Sequence, residues 1–186
     1  MLIIDNYDSF TYNLFHYLEQ IDNKIVVKRP HEIEVSEIEK FSKIVLSPGP
    51  GLPGDIELLQ TVIRNYHKTK SILGICLGHQ ALGLFFGAKL YNLPQVHHGV
   101  QKRTKVCYQH QIFENVPEFF ETGRYHSWAI DRKLFPDCLE IIAEDTDDKI
   151  IMGITHNKYN IVGLQFHPES IMTPDGLTIL KNWVNL

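Results

Sequence analysis

A chain of 186 residues, 44% hydrophobic and 22% charged, has the makeup of one soluble globular domain able to bury about 70% of its unfolded surface. Its net charge of −4, with no block of Lys or Arg, argues against nucleic acid or an anionic membrane surface as partner, and no apolar run approaches the ~20 residues that cross a bilayer. Three scattered cysteines, Cys76, Cys107 and Cys138, do not make a disulfide framework, and the opening MLIIDNYDSF lacks the basic region of a secretory or transit peptide, so a cytoplasmic protein with a free thiol is expected.

The expected elements begin with LIID, Leu2 to Asp5, a short apolar run of strand type. FTYNLFHYLEQI follows with Phe10, Leu14, Tyr17, Leu18 and Ile21 at helical spacing. KIVVK (Lys24 to Lys28) and KIVLS (Lys43 to Ser47) are the next strands, IELLQTVIRNYH a second helix, SILGIC (Ser71 to Cys76) a fourth strand, and a third helix is expected from about Leu77 to Phe86. Strands alternating with helices imply right-handed crossovers and a mostly parallel sheet with helices on both faces, whose ligands gather at the carboxyl ends of the strands. The second half changes character. Strands are expected near Lys105 to Tyr108, Leu139 to Glu144, Ile150 to Thr155 and Ile161 to Phe166, with HNKY as a hairpin turn between the last two, giving a smaller antiparallel portion. A closing helix is expected from Asp175 to Val184. The fold class is α/β, as one domain spanning residues 1–186.

Three strand ends carry chemistry. Gly74-Ile75-Cys76-Leu77-Gly78 has the form G-x-C-x-G, the cysteine counterpart of the nucleophile elbow; the sharp turn strains the backbone, so a side chain on either flank would clash with the turn or block the substrate. The helix that follows presents its positive end to the sulfur, which helps because a free thiol with pKa near ~8.5 is only slightly ionised at neutral pH. A small buried cysteine of no chemical role is the competing reading. In VGLQFHPES the strand runs into His167-Pro168-Glu169, where Pro168 enforces an extended backbone, so that Glu169 can reach back to one imidazole nitrogen while the other faces the sulfur. An ordinary histidine capped by an acid is the alternative. His167 and Glu169 lack a third partner for zinc, His97 and His98 read as an exposed loop pair, and neither metal nor cofactor is expected. SPGPGLPGD, Ser47 to Asp55, ends the third strand in a stiffened loop whose Gly49 and Gly51 allow close approach of backbone N–H groups to a developing negative oxygen; with no Lys-Ser/Thr pair after the glycines it is not a P-loop.

DNYDSFTYNL, SPGPGLPGD, GICLGHQAL, GRYHSW and QFHPESIMT occur in that order through nearly the whole chain, and together they resemble a class I, triad-type glutamine amidotransferase with its flavodoxin-like fold. The opening motif is most similar to the amidotransferase subunits of anthranilate synthase and of aminodeoxychorismate (para-aminobenzoate) synthase. The resemblance implies Cys76 as nucleophile, His167 as general base and acid, and Glu169 as the residue that orients His167. It implies an oxyanion hole from the N–H groups of Leu77 and Gly49, and L-glutamine held by the Gly49-Pro50-Gly51 backbone, the Gln80 side chain and the backbone of Ser127 and Trp128. It also implies, as protein partner, a separate chorismate-using synthase subunit, since the chain leaves no room for a synthase domain after FHPES. Two positions depart from the family pattern: leucine is common where Trp128 stands, and His-Gly-Lys is common where this chain has His98-Gly99-Val100. A non-catalytic regulatory subunit on the same scaffold and a cysteine peptidase on a related fold are the competing functions. The complete triad disfavours the first, and Gln80 with Ser127-Trp128 the second.

Overall fold

In the computed structural model, which describes residues 1–186, apolar side chains alternate along three strands of the first half and divide between two cores. Along β1 (Leu2–Ile4), Leu2 and Ile4 face one core and Ile3 the other. The same alternation places Ile44 and Leu46 opposite Val45 in β3 (Lys43–Leu46), and Ile72 opposite Leu73 and Ile75 in β4 (Ser71–Ile75). Strands apolar on both faces demand cover on both. The amphipathic helix α2 (Glu57–Tyr66), which buries Leu59, Val62, Ile63 and Tyr66, covers one face together with α3 (Leu77–Phe85). Helix α1 (Thr11–Leu18) through Leu14 and Leu18, and α4 (Gly176–Asn185) through Ile179, Leu180 and Trp183, cover the other.

The main sheet has nine strands in the order β2-β1-β3-β4-β11-β10-β9-β6-β7, with β2 at Val26–Lys28 and β11 at Ile161–Leu164. Its first five strands are parallel; four of them were expected so, whereas β11, expected in the antiparallel portion, pairs parallel with β4 and antiparallel with β10. The remainder, β10 (Ile151–His156), β9 (Leu139–Asp145), β6 (Val100–Val106) and β7 (Phe119–Arg124), pair antiparallel and extend the same sheet instead of forming a separate layer. A two-stranded antiparallel pair, β5 (Leu90–Asn92) with β8 (Trp128–Ile130), stands outside it. The strand expected near Lys105 to Tyr108 lies earlier, as β6; Cys107 and Tyr108 follow it. The strands β5, β7 and β8 were not expected: β5 and β8 are three residues each, too short to show a period, and the polar ETGR of β7 interrupts its apolar start. No helix is long and apolar enough to cross a membrane.

The order sets the site. β4 lies between β3 and β11 in the parallel block, so the segments that leave the carboxyl ends of these three neighbours meet above them. Those segments are Cys76, the Ser47–Gly51 loop and Gln165–Glu169.

Candidate active site

Cys76 occupies the N-cap of α3 with φ 50° and ψ −97°, a conformation costly for any residue with a Cβ. Neighbouring contacts hold it there: its N–H donates to Leu164 O at 2.8 Å, and its carbonyl accepts from Gln80 N at 3.0 Å as the helix opens. The flanking glycines are required by packing against backbone. A Cβ at Gly78 would collide with the Leu46 carbonyl, and one at Gly74 would lie 2.5 Å from Gly78 O. Clash with the turn is therefore the reason for both, and substrate access need not be invoked. The sulfur sits at the positive end of a nine-residue helix, where negative charge is favoured.

His167 is 2% exposed and held on every side. Its N–H donates to Gly123 O at 3.0 Å, its carbonyl accepts from Thr173 Oγ1 at 2.7 Å, and its ring packs edge-on against Phe10 and Tyr125. Nδ1 lies 2.8 Å from Glu169 Oε1. Nε2 has no other hydrogen-bond partner, and the Cys76 sulfur is near enough to perturb the imidazole. Burial alone would hold the His167 pKa down, but the Glu169 carboxylate, reinforced by the Cys76 sulfur, raises it well above the ordinary histidine value. Sulfur, imidazole and carboxylate thus converge at one rim of the sheet.

The Ser47–Gly51 loop is pinned to the first strand's end: Asn6 N donates to Ser47 Oγ at 2.9 Å and Asn6 Nδ2 to Ser47 O at 3.0 Å. Gly49 passes so close to α3 that a Cβ would lie 2.8 Å from Leu77 Cδ2 and 2.6 Å from Asn6 Cβ. Leu77, first residue of α3, has an N–H the helix itself leaves without a partner. Gly49, Pro50, Gly51, Leu77, Gln80, Ser127 and Trp128 all line a single cleft of about 160 Å³ that ends on Cys76. That is well below the ~300–1,000 Å³ of drug-sized sites and suits a ligand no larger than an amino acid. A second opening of about 360 Å³ reaches Cys76 from the other side, past Asp8, Phe10, His98 and His167. Burial there raises the Asp8 carboxyl pKa.

The wall at Tyr125–Trp128 is anchored from beneath. Arg124 and Asp145, both fully buried, form an ion pair, and Asp145 also accepts from the N–H groups of Asp147 at 2.7 Å and Asp148 at 2.6 Å. His126 Nδ1 is 3.0 Å from Trp128 O, and burial pushes its pKa down to about 3, so the ring is neutral and donates. His97 is buried against His126 with ring centroids 5.4 Å apart, whereas His98 is exposed; the expected exposed pair is thus split, because backbone pairing of His97 N to His126 O turns the first ring inward.

Gln80 was expected to hold substrate through its side chain. Its Nε2 is already committed, to Trp128 O at 2.9 Å and Gln165 Oε1 at 3.1 Å, leaving its carbonyl oxygen as the free group. Gln165 itself was missed. It is fully buried, and its Nε2 lies 3.6 Å from Cys76 Sγ. The signal was present: Gln165 stands two residues before His167 and Glu169 two after it, the spacing at which side chains leaving a strand end share a side.

With the geometry in place, similarity to known proteins decides the family: residues 2–186 match the family model described as glutamine amidotransferase class-I. The chain belongs to the class-I glutamine amidotransferases. Among its relatives in that family, anthranilate synthase component 2 of Lactococcus lactis subsp. lactis is 44% identical over 185 residues, covering 100% of this chain and 93% of that one. Aminodeoxychorismate synthase component 2 of Serratia marcescens is 38% identical over 191 residues, covering 100% and 99%. A solved structure described as a GMP synthase protein from Thermoplasma acidophilum superposes with a TM-score of 0.87 at 24% identity over 99% of this chain and 91% of that one, a likeness of fold.

Proposed function

We propose that residues 1–186 form one glutaminase domain in which Cys76, His167 and Glu169 hydrolyse L-glutamine and pass the ammonia to a chorismate-using synthase subunit. The carrying observation is the cleft that ends on Cys76 with an imidazole beside it whose pKa Glu169 raises. Such a histidine rests protonated next to the sulfur, the form that stabilises negative charge on it and can give a proton to a leaving group. The sulfur attacks the carboxamide carbon, and the carbonyl oxygen takes the negative charge opposite the N–H groups of Leu77 and Gly49. As the tetrahedral intermediate collapses, the C–N bond breaks and His167 gives its proton to the departing nitrogen, releasing ammonia. Water then attacks the γ-glutamyl thioester while His167 takes its proton, and breaking the C–S bond frees glutamate and restores the thiolate. The main-chain groups at Gly49–Gly51 and Ser127–Trp128, with the free Gln80 oxygen, hold the amino acid end.

The partner is a component I subunit, and anthranilate synthase is favoured because the anthranilate relative stands at 44% identity against 38% for the aminodeoxychorismate relative. The test is Cys76→Ala in the reconstituted complex. Glutamine-dependent synthesis should disappear and ammonia-dependent synthesis persist; loss of both, with the complex intact, refutes the division of labour. Which purified component I co-elutes with the chain decides the branch.

A further inference from the structure

Two buried side-chain amides run in a line from the half-buried Trp128 carbonyl in the glutamine-side wall to the nucleophile, and their polarity is fixed from one end. Trp128 O can only accept, so Gln80 must turn its NH2 toward it, at 2.9 Å. The other proton of that NH2 points at Gln165, 3.1 Å away, so Gln165 must present its oxygen there. Gln165 is then left with only one orientation for its own NH2, toward Cys76 Sγ at 3.6 Å. Gln80 and Gln165 are 4% and 0% exposed, so no water competes to reverse the chain.

We propose that Gln165 is a further catalytic residue: its amide donates to the Cys76 sulfur and stabilises the thiolate, held in that sense by Gln80 and the Trp128 carbonyl. A donor aimed at sulfur favours the charged form over the thiol, because the anion is the stronger acceptor. An amide does this without a charge of its own, so the help persists at every pH at which His167 changes state. The same line ties the wall proposed to seat glutamine to the atom that attacks it. The titratable groups facing the sulfur from the surrounding elements are His167, with Glu169 behind it; Tyr125 and His126 across the cleft; and Tyr7, Asp8 and His98 at the second opening. None of these is an amide, and none occupies the position of Gln165.

The inference rests on Cys76 being the glutaminase nucleophile, and the experiment keeps the two apart. Alkylation of Cys76 by iodoacetamide, resolved from that of Cys107 and Cys138 by peptide mass, is followed from about pH 4 to about pH 10, with and without glutamine. Glutamine protection in the unsubstituted protein tests the glutaminase reading alone. In Gln165→Met, a close match in shape without a donor, the midpoint of the rate profile should rise by about one pH unit, a change of about tenfold in the thiolate equilibrium, with the high-pH plateau kept. An unmoved midpoint in a folded variant overturns the proposal, since a merely structural side chain alters plateau or binding and not the midpoint. Should Gln165→Met fail to fold, the side-chain amide signals of Gln165 are compared by NMR between the unsubstituted protein and Cys76→Ala. A shift of one Nε2 proton on loss of the sulfur supports the contact, and identical signals overturn it.

Discussion

Replacing Glu169 by Gln removes a charge and little else. The amide oxygen can still accept from His167 Nδ1 across the present 2.8 Å, so the ring keeps its tautomer and its place between Phe10 and Tyr125. What disappears is the attraction between carboxylate and imidazolium. With charge centres about 4 Å apart and an effective dielectric of about 20, that attraction is about 4 kcal/mol. Both groups are buried, at 2% and 3% exposure, so salt screens little of it. Burial, which opposes the imidazolium, then acts with the Cys76 sulfur as its only strong counterweight, and the protonated state is lost at lower pH than before. General acid catalysis is typically worth ~10²–10⁴, and ~4 kcal/mol corresponds to about three decades, so kcat/KM of the activated complex at neutral pH should fall by about 10²–10³. The alkaline limb of the profile should move toward lower pH, because the proton given to ammonia is the one being lost. Stopped glutamate release across pH is the assay. A fall smaller than about threefold with an unmoved alkaline limb would refute the assignment of Glu169, and with it the idea that His167 rests as the cation.

Arg124→Met leaves Asp145 charged and buried, and breaking such a pair costs about 3–5 kcal/mol, which should lower the melting temperature by about 6–20 °C in calorimetry. Gly78→Ala drives a Cβ into the Leu46 carbonyl, so α3 must lift; a loss of about 1–3 kcal/mol in urea unfolding should accompany a fall of about 10² in kcat, because the nucleophile rides on the helix that moves. His79 and His126 are both buried neutral with pKa pushed down to about 3, so as pH falls below ~6.5 these two alone should lower stability by about 2.7 kcal/mol per pH unit, and His97, His110 and His156, also held low by burial, act in the same direction. His167 acts in the opposite window: its raised pKa adds stability below ~6.5 that is lost as pH rises through the folded value, so urea midpoints should peak near neutrality, and His79→Leu should reduce the acid slope by about 1.4 kcal/mol per pH unit.

The parallel half of the fold was legible because its strands are apolar on both faces, so LIID, KIVLS and SILGIC announce themselves without any partner being known. The antiparallel half was legible only in part. β9, β10 and β11 each bury enough Ile and Leu to register, but β6 and β7 bury a single apolar side chain, Phe120, and draw on Thr104, Thr122 and the Arg124–Asp145 pair. Their pairing is decided by groups that find each other only after the chain has folded, and no window of sequence contains both partners. The same limit hid the inward turn of His97, which depends on a backbone bond to His126, twenty-nine residues on.

At the site, the residues legible in the sequence were those whose constraint is local: a glycine against a strand end, a proline after a histidine, an acid two residues beyond. Gln165 met the same local criterion as His167 and Glu169, yet an amide has no titration to draw attention to it, and its significance comes from where its protons are forced to point. That direction is inherited from Trp128 through Gln80, across three separate elements. Charged residues at an active site can be suspected from type and spacing, because each would be costly to bury without purpose. Neutral polar residues gain a role only from the direction of a hydrogen-bond chain, and direction is a property of the assembled rim: if Gln80 were reversed, the Gln165 oxygen would face the sulfur, and the same side chain would repel the thiolate it now stabilises.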